Sequence, residues 1–137
     1  KLRRYRYTKA KELHIKPYYI YNNNELDQLV STRPTSKEEF LKIPGFADKK
    51  FEQYGKDIID IIMESLNGIQ ETLKVFRLEV SKQLNLKAYE IFNNNQLEQI
   101  IEIMPHEKEQ LLQIKYYSKQ QIENYGDQII RIIKENL

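Results

Sequence analysis

The sequence predicts an all-α protein that consists of two tandem compact helical bundles. Three observations support this fold class. The second half of the chain repeats the first half without a gap, at an offset of 71 positions. Apolar residues recur at the i, i+3 and i+4 spacing of amphipathic helices, and helix-capping signals precede several of these runs. No segment of useful length alternates between apolar and polar residues as a half-buried strand would.

The repeat aligns residues 2–66 with residues 73–137. It contains 26 identical residues in 65 aligned positions, far more than composition would produce by chance. We therefore predict two domains, 1–66 and 73–137, joined by a connector of residues 67–72. The identical pairs include Leu2/Leu73, Arg6/Arg77, Tyr18/Tyr89, Leu26/Leu97, Pro34/Pro105 and Gly55/Gly126, and the triplet Asn22-Asn23-Asn24 recurs as Asn93-Asn94-Asn95.

The first element of each copy is a helix, because apolar residues lie on one side of a helical turn. In the first copy these residues are Leu2, Tyr5, Ala10 and Leu13. The aromatic run that follows, residues 17–21, begins with a proline. A short segment of this kind favours an extended conformation packed on the core, with a single helical turn as the alternative.

Capping boxes predict where the next two helices begin. Asn24 with Asp27, and Asn95 with Glu98, have the spacing that opens a second helix, which ends before the shared proline. Ser36 with Glu39 predicts a short third helix. In the first copy only, a Pro-Gly pair at positions 44 and 45 closes that helix.

A long last helix is predicted to begin near Ala47 and Ser118 and to run to Leu66 and Leu137. Glycine inside a helix costs about 1 kcal/mol relative to alanine, so a glycine kept in both copies indicates the close approach of another helix. Asn67-Gly68 predicts the C-terminal stop of this helix in the first copy. Its buried stripe is predicted to contain Phe51, Tyr54, Ile58, Ile61, Ile62 and Leu66.

Composition excludes several classes of protein. The chain has 137 residues, of which 40% are hydrophobic and 31% are charged, and its net charge is +2. These values are typical of a globular protein rather than a disordered or membrane protein, so we expect a cytoplasmic location and no membrane partner. Without cysteine there is neither a disulfide nor a thiolate metal site. Because the first residue is Lys1 rather than Met, we expect the chain to be part of a larger protein.

A set of motifs lies in a fixed order along the first copy. These motifs are Leu2 with Tyr5 and Arg6, Pro34, Phe40-Leu41, Ile43-Pro44-Gly45, Lys50, Glu52 and Tyr54-Gly55. Their order resembles the HRDC (helicase and RNase D C-terminal) domain family, and the resemblance extends over the whole of both copies. It implies compact bundles of about four to five helices each, with packing of the SAM or helix-hairpin type. The second copy departs from the family pattern at residues 115–117, where the family usually has glycine, and at Gln121.

The resemblance implies an accessory module that binds nucleic acid or contacts protein, without catalysis in this chain. Its implied partners are single-stranded or forked DNA and the helicase core of the same polypeptide, most readily a RecQ-like DNA helicase of repair and recombination. RNA would be the ligand in an RNase D-like parent. The chain itself then needs no cofactor, and ATP and magnesium are expected only in the missing motor domain.

The first helix carries the clearest candidate site, because basic residues cluster there. Residues 1–70 have 13 basic and 10 acidic side chains, a net charge of +3, whereas residues 71–137 have 9 and 10, a net charge of −1. A phosphate backbone would be attracted to the first copy, although an ordinary solvated helix face is the alternative. The residues predicted to bind nucleic acid are Arg3, Arg4, Tyr7, Lys11, Lys16, Lys49 and Lys50.

The turn at residues 43–50 extends this site, since its amides and its two lysines are placed to meet a phosphate; an ordinary helix–helix turn is the alternative. Arg6 recurs as Arg77 near the edge of the apolar stripe, which favours a structural ion pair or hydrogen bond. Tyr7 and Tyr19 are replaced in the second copy and are candidates for the surface. The tyrosines predicted to pack in the core are Tyr5, Tyr18, Tyr54, Tyr89 and Tyr125.

Signatures of an enzyme are absent from the sequence. There is no phosphate-binding loop, no zinc-protease motif and no nucleophile with a plausible base. His14 and His106 do not align with each other and have no partner nearby, so we expect neither catalytic nor metal-binding residues. The alternative function is a protein-interaction or structural module without affinity for DNA.

Overall fold

The computed structural model describes residues 1–136 and contains no strand within that range. Two 3₁₀ segments, Pro17–Tyr19 and Lys108–Gln113, and one π-helical stretch, Phe51–Gly55, lie between the helices. The predicted all-α class is confirmed. The α-helices of residues 1–136 are α1 Leu2–Leu13, α2 Asn23–Thr32, α3 Lys37–Leu41, α4 Asp48–Lys50, α5 Lys56–Leu84, α6 Ala88–Ile91, α7 Asn94–Ile103 and α8 Lys119–Glu135.

The chain divides into two compact units, Lys1–Glu64 and Ser65–Leu137. Each unit has its own core, and the two cores use equivalent positions of the repeat. The apolar identities Leu2/Leu73, Ile20/Ile91 and Ile58/Ile129 are therefore packing positions, whereas many polar identities lie at the surface. The predicted limits of the domains, 1–66 and 73–137, stay a prediction. Buried pairs that the offset relates include Leu2/Leu73, Ile20/Ile91, Tyr21/Phe92, Phe40/Leu111, Tyr54/Tyr125, Ile58/Ile129 and Ile62/Ile133.

The predicted helix stop at Asn67-Gly68 is wrong, because both residues lie inside α5. The structure has no break between the last helix of the first copy and the first helix of the second. Gly68 lowers the helix propensity locally. The neighbouring side chains Ile69 and Leu73 are fully buried in the core of the second unit, and this burial stabilises the helical conformation. The predicted helix end at Leu137 lies outside the described residues.

The second helix begins two residues earlier than the predicted capping boxes. The side chain of Asn22 accepts a hydrogen bond from the backbone N–H of Glu25, and the carboxylate of Glu25 accepts one from the N–H of Asn22. Asn93 and Gln96 form the same box in the second copy. Three consecutive asparagines stand at this point of the sequence, and the backbone conformation makes the first of them the N-cap. The predicted caps at Ser36 and Ser118 are confirmed.

The aromatic run after α1 is a helical turn, so the prediction of an extended segment is wrong and the alternative is confirmed. Pro17 is the first residue of the 3₁₀ segment, where a backbone N–H would have no partner within the segment, so proline is tolerated there. The turn directs Ile20 and Tyr21 into the core, while Tyr18 and Tyr19 remain exposed. In the second copy the same position is the single α-helical turn α6.

The two shared glycines have different neighbours. A Cβ atom at Gly126 would lie 3.2 Å from Leu111 Cδ1 and 3.2 Å from Lys108 Cγ, both in the 3₁₀ segment Lys108–Gln113. The predicted close approach of another helix is therefore confirmed at this position. At Gly55 the atoms nearest to an added Cβ atom belong to the ring of Phe51 in the same helical run, so the close approach of another helix stays a prediction there.

Candidate nucleic-acid interface

The outer face of α1 in the first unit is basic and exposed. Arg3, Arg4, Tyr7 and Lys11 lie within an arc of about 100° on an ideal helix, and all four side chains are exposed. Neither Arg3 nor Arg4 has an ion pair or a side-chain hydrogen bond within residues 1–136. The ammonium group of Lys11 lies 5.7 Å from the centre of the Tyr7 ring. This face presents positive charge and an aromatic ring to solvent.

The only acidic residue of α1 does not oppose this face. Glu12 forms an ion pair with Lys9, at 3.5 Å between Nζ and Oε2. Lys9 points away from the exposed face and is partly buried. The cations on the face therefore have no carboxylate on their own helix that would compete with a phosphate.

A second exposed group follows α1 and contains an aromatic residue that the sequence did not place at the surface. The prediction that Tyr18 packs in the core is wrong, because 53% of Tyr18 is exposed, and Tyr89 in the second copy is likewise exposed. The rings of Tyr18 and Tyr19 lie 4.8 Å apart, and the ammonium group of Lys16 lies 5.9 Å from the Tyr18 ring. The predicted exposure of Tyr7 and Tyr19 is confirmed. Lys16, two residues before Tyr18, was the sequence signal that could have indicated an exposed tyrosine.

An open pocket of about 600 Å³ lies beside this aromatic group. Asn24 has an exposed side chain with no hydrogen-bond partner within residues 1–136, whereas Asn22 and Asn23 are both engaged. Tyrosine, amide and arginine groups at one pocket can stack on a ring and donate hydrogen bonds to it. The pocket is lined by Arg6, Pro17, Tyr18, Asn22, Asn23 and Asn24.

Arg6 holds this region together from the inside, as its recurrence predicted. Its guanidinium group donates to the carbonyl oxygen of Tyr21 at 3.1 Å and to Asn23 Oδ1 at 3.0 Å, and it lies 5.6 Å from the Tyr21 ring. Burial raises the pKa of the Tyr21 hydroxyl, which donates to the carbonyl oxygen of Leu2. In the second copy Arg77 repeats both hydrogen bonds, to the Phe92 carbonyl oxygen and to Asn94.

The two lysines of the turn at residues 43–50 have different surroundings. The ammonium group of Lys50 lies 3.3 Å from Glu25 Oε2 and 5.1 Å from the ring of Phe46. Lys49 is exposed and has no ion pair within residues 1–136. Gly45 has φ +91°, and a Cβ atom there would collide with the Glu25 carboxylate. Lys50 therefore supports the turn, and of the two predicted lysines only Lys49 has a free charge.

The equivalent face of the second unit is less basic. Val75 stands in place of Arg4 and Leu78 in place of Tyr7, and both are exposed. Lys74, the counterpart of Arg3, forms an ion pair with Glu71 at 3.7 Å. The basic and aromatic surface of α1 is thus particular to the first unit.

Residues 1–136 contain no group of three or more acidic or histidine side chains that could hold a metal ion. Within the same range, no helix has both the length and the apolar character needed to cross a membrane.

Comparison with known proteins agrees with this architecture. The family model of the HRDC domain matches residues 1–62 and again residues 67–133. The chain is also 31% identical over 61 residues to the "ATP-dependent DNA helicase UvrD2" of Mycobacterium bovis and of Mycobacterium tuberculosis. That match covers 44% of this chain and 9% of the length of those relatives. No solved structure matches the chain.

The chain belongs to the HRDC domain family and contains two tandem members of it. HRDC domains are non-catalytic accessory modules of helicases that bind nucleic acid. The resemblance predicted from the sequence is confirmed for both copies.

Proposed function

We propose that this chain is the accessory nucleic-acid-binding part of a larger ATP-dependent DNA helicase and that its first unit binds single-stranded or forked DNA. The observation that carries this proposal is the exposed face of α1, where Arg3, Arg4 and Lys11 surround Tyr7 without a competing carboxylate. Phosphates are attracted to such a face, and each lysine or arginine that binds one releases counterions.

Two other exposed groups of the first unit extend the proposed surface. Lys16 with the exposed rings of Tyr18 and Tyr19 supplies the stacking contacts that hold single-stranded bases without reading their sequence. Lys49 adds a free charge at the turn. We leave Lys50 out of the binding surface because its charge is engaged by Glu25. The second unit acts as a supporting module.

The relatives that the chain matches are named as ATP-dependent DNA helicases, which supports a helicase as the parent protein. They are UvrD2 proteins rather than RecQ-like ones, so we propose a parent from the ATP-dependent DNA helicases as a class. In that parent, ATP and magnesium would be bound by a motor domain outside this chain, and the HRDC pair would add affinity and substrate choice.

Binding of labelled oligonucleotides, measured by fluorescence anisotropy at several salt concentrations, tests this function. The double variant Arg3→Glu/Lys11→Glu is expected to weaken binding of single strands at least about tenfold. It should also lower the slope of log affinity against log salt concentration by about 1.4, which is about 0.7 for each lost phosphate contact. The variant Tyr18→Ala is expected to lose affinity with little change in that slope.

The repeat supplies a matched control for charge. Lys74→Glu/Lys82→Glu makes the same change of charge at the equivalent positions of the second copy and should have a much smaller effect. Equal losses in the two double variants would show that only net charge matters and would refute the site. If the wild-type chain shows no salt-dependent binding, the protein-interaction function replaces this one, and tighter binding of RNA than of DNA would indicate an RNA-processing parent.

A further inference from the structure

The turn that joins the 3₁₀ segment Lys108–Gln113 to α8 has an unusual residue at its tip. Within residues 1–136, the positions of positive φ come in pairs related by the offset of the repeat. Two of these pairs, His14/Asn85 and Arg33/Met104, lie at helix ends. The third pair is Gly45 with φ +91° and Tyr116 with φ +63°. The fold therefore requires a left-handed residue at this turn, and the second copy supplies it with a tyrosine.

A tyrosine is a poor choice for this backbone conformation. Its Cβ atom is crowded against the following carbonyl group at positive φ, whereas glycine adopts the conformation freely. Packing does not offset this strain, because 95% of Tyr116 is exposed to solvent. The next residue, Tyr117, is buried in the core of the second unit. Folding alone gives no reason for a tyrosine at position 116.

The turn fixes the residues on both sides of Tyr116. The N–H of Lys115 donates to Gln99 Oε1 at 2.9 Å, and the Lys115 carbonyl oxygen accepts from Gln96 Nε2 at 3.3 Å. On its other side, the ring of Tyr117 is anchored in the core. Tyr116 is thus presented between two fixed neighbours, which reduces the entropy that a bound ligand would have to remove.

Two free cations lie close to Tyr116 along the chain. Lys115 and Lys119 are exposed, and neither has an ion pair within residues 1–136. Lys108, in contrast, pairs with Glu123 and with Asp127. An exposed aromatic ring beside unpaired lysines is the arrangement that binds single strands, since the ring stacks on a base and the cations bind phosphates.

We propose that this turn is a second contact for single-stranded nucleic acid, in which Tyr116 stacks on a base and Lys115 and Lys119 bind the flanking phosphates. The inference rests on the proposed function of the chain and gives the second unit a binding role of its own. The first copy offers no such contact at its turn, because Gly45 has no side chain.

Three variants of the full chain at position 116 test this contact. Tyr116→Gly is expected to weaken binding of an oligothymidylate about 5- to 100-fold and, at the same time, to raise the urea midpoint of unfolding because the strain is relieved. A residue with only a structural role would not produce this opposite pair of changes. Tyr116→Phe should retain the affinity. The chain has no tryptophan, so the fluorescence of Tyr116→Trp should be quenched by the oligothymidylate.

Unchanged affinity in Tyr116→Gly, or unquenched fluorescence in Tyr116→Trp, would overturn the second contact. The same results are expected if Tyr116 instead inserts into a protein partner. Failure of the proposed function is distinguishable from this result. If Arg3→Glu/Lys11→Glu binds like wild type while Tyr116→Gly loses affinity, the site on α1 fails and the second contact stands. The reverse pattern leaves the site on α1 and removes the second contact. Absence of binding in the wild-type chain overturns both.

Discussion

The ion pair between Glu25 and Lys50 gives Lys50 a structural role, and we expect its removal to lower the stability of the first unit. The side chain of Lys50 is 20% exposed and that of Glu25 is 12% exposed, so both charges are largely withdrawn from water. At 3.3 Å their Coulomb attraction is about 5 kcal/mol for an effective dielectric constant of 20. Desolvation offsets most of this attraction, which leaves a coupling free energy of about 1–2 kcal/mol.

The second copy shows how the same site is built without charges. There Gln96 stands in place of Glu25 and Gln121 in place of Lys50. Gln96 accepts from the N–H of Asn93, as Glu25 does from Asn22, and donates to a turn carbonyl oxygen. We therefore expect Lys50→Gln alone to lower the free energy of unfolding by about 2 kcal/mol, because it leaves a carboxylate without its partner. The double variant Glu25→Gln/Lys50→Gln should lie within about 1 kcal/mol of wild type.

Urea denaturation followed by far-UV circular dichroism, applied to both single variants and the double variant, gives the coupling free energy directly. A coupling below about 0.3 kcal/mol would refute the structural role of the pair. Binding of DNA provides the second readout. Lys50→Gln should leave the salt slope unchanged, whereas Lys49→Gln should lower it by about 0.7. Equal slopes in these two variants would show that Lys50 also binds phosphate.

Three further predictions concern the core, α5 and α8. The buried hydroxyl of Tyr117 has no hydrogen-bond partner within residues 1–136, and the first copy has Phe46 at the equivalent position. Tyr117→Phe should therefore raise the free energy of unfolding by about 1–2 kcal/mol. A loss of stability in this variant would reveal a partner for that hydroxyl. Gly68 lies inside α5, and a Cβ atom added there would meet no atom within 4 Å beyond the local helix backbone. Gly68→Ala should therefore raise the free energy of unfolding by up to about 1 kcal/mol. At Gly126 the same gain in helix propensity is opposed by a contact of 3.2 Å between the added methyl group and Leu111 Cδ1, so Gly126→Ala should raise stability less than Gly68→Ala. Destabilisation by Gly68→Ala would indicate that α5 is interrupted there, as the sequence had suggested.

Identity between the copies was a good guide to the core and a poor guide to the surface. Leu2, Ile20 and Ile58 are buried together with their counterparts, as their recurrence indicated. Tyr18 and Tyr89 are just as identical, yet both are exposed. An aromatic residue supports either role, and the direction of its ring depends on whether the preceding backbone is extended or forms a helical turn.

The two lysines of the turn at residues 43–50 show that the sequence is also a poor guide to which charges are free. Lys49 and Lys50 are adjacent and chemically identical in sequence. In the structure one is free and the other is paired with Glu25, which lies 25 positions away along the chain. The start of α2 shows this limit again. Three consecutive asparagines, residues 22–24, stand there in the sequence, and only the backbone conformation makes Asn22 the cap.

The sequence by itself determined the all-α class, the two copies, many apolar core positions and the family, because all of these follow from periodicity and from residues that recur at a constant offset. The tertiary structure decided which charges are free, which tyrosines face solvent and where α5 ends. These properties depend on contacts between residues distant in sequence: Glu25 with Lys50, and Ile69 and Leu73 with the second core. The burial of those two side chains overrides the local signal for a stop at Gly68, and no reading of neighbouring residues contains that information.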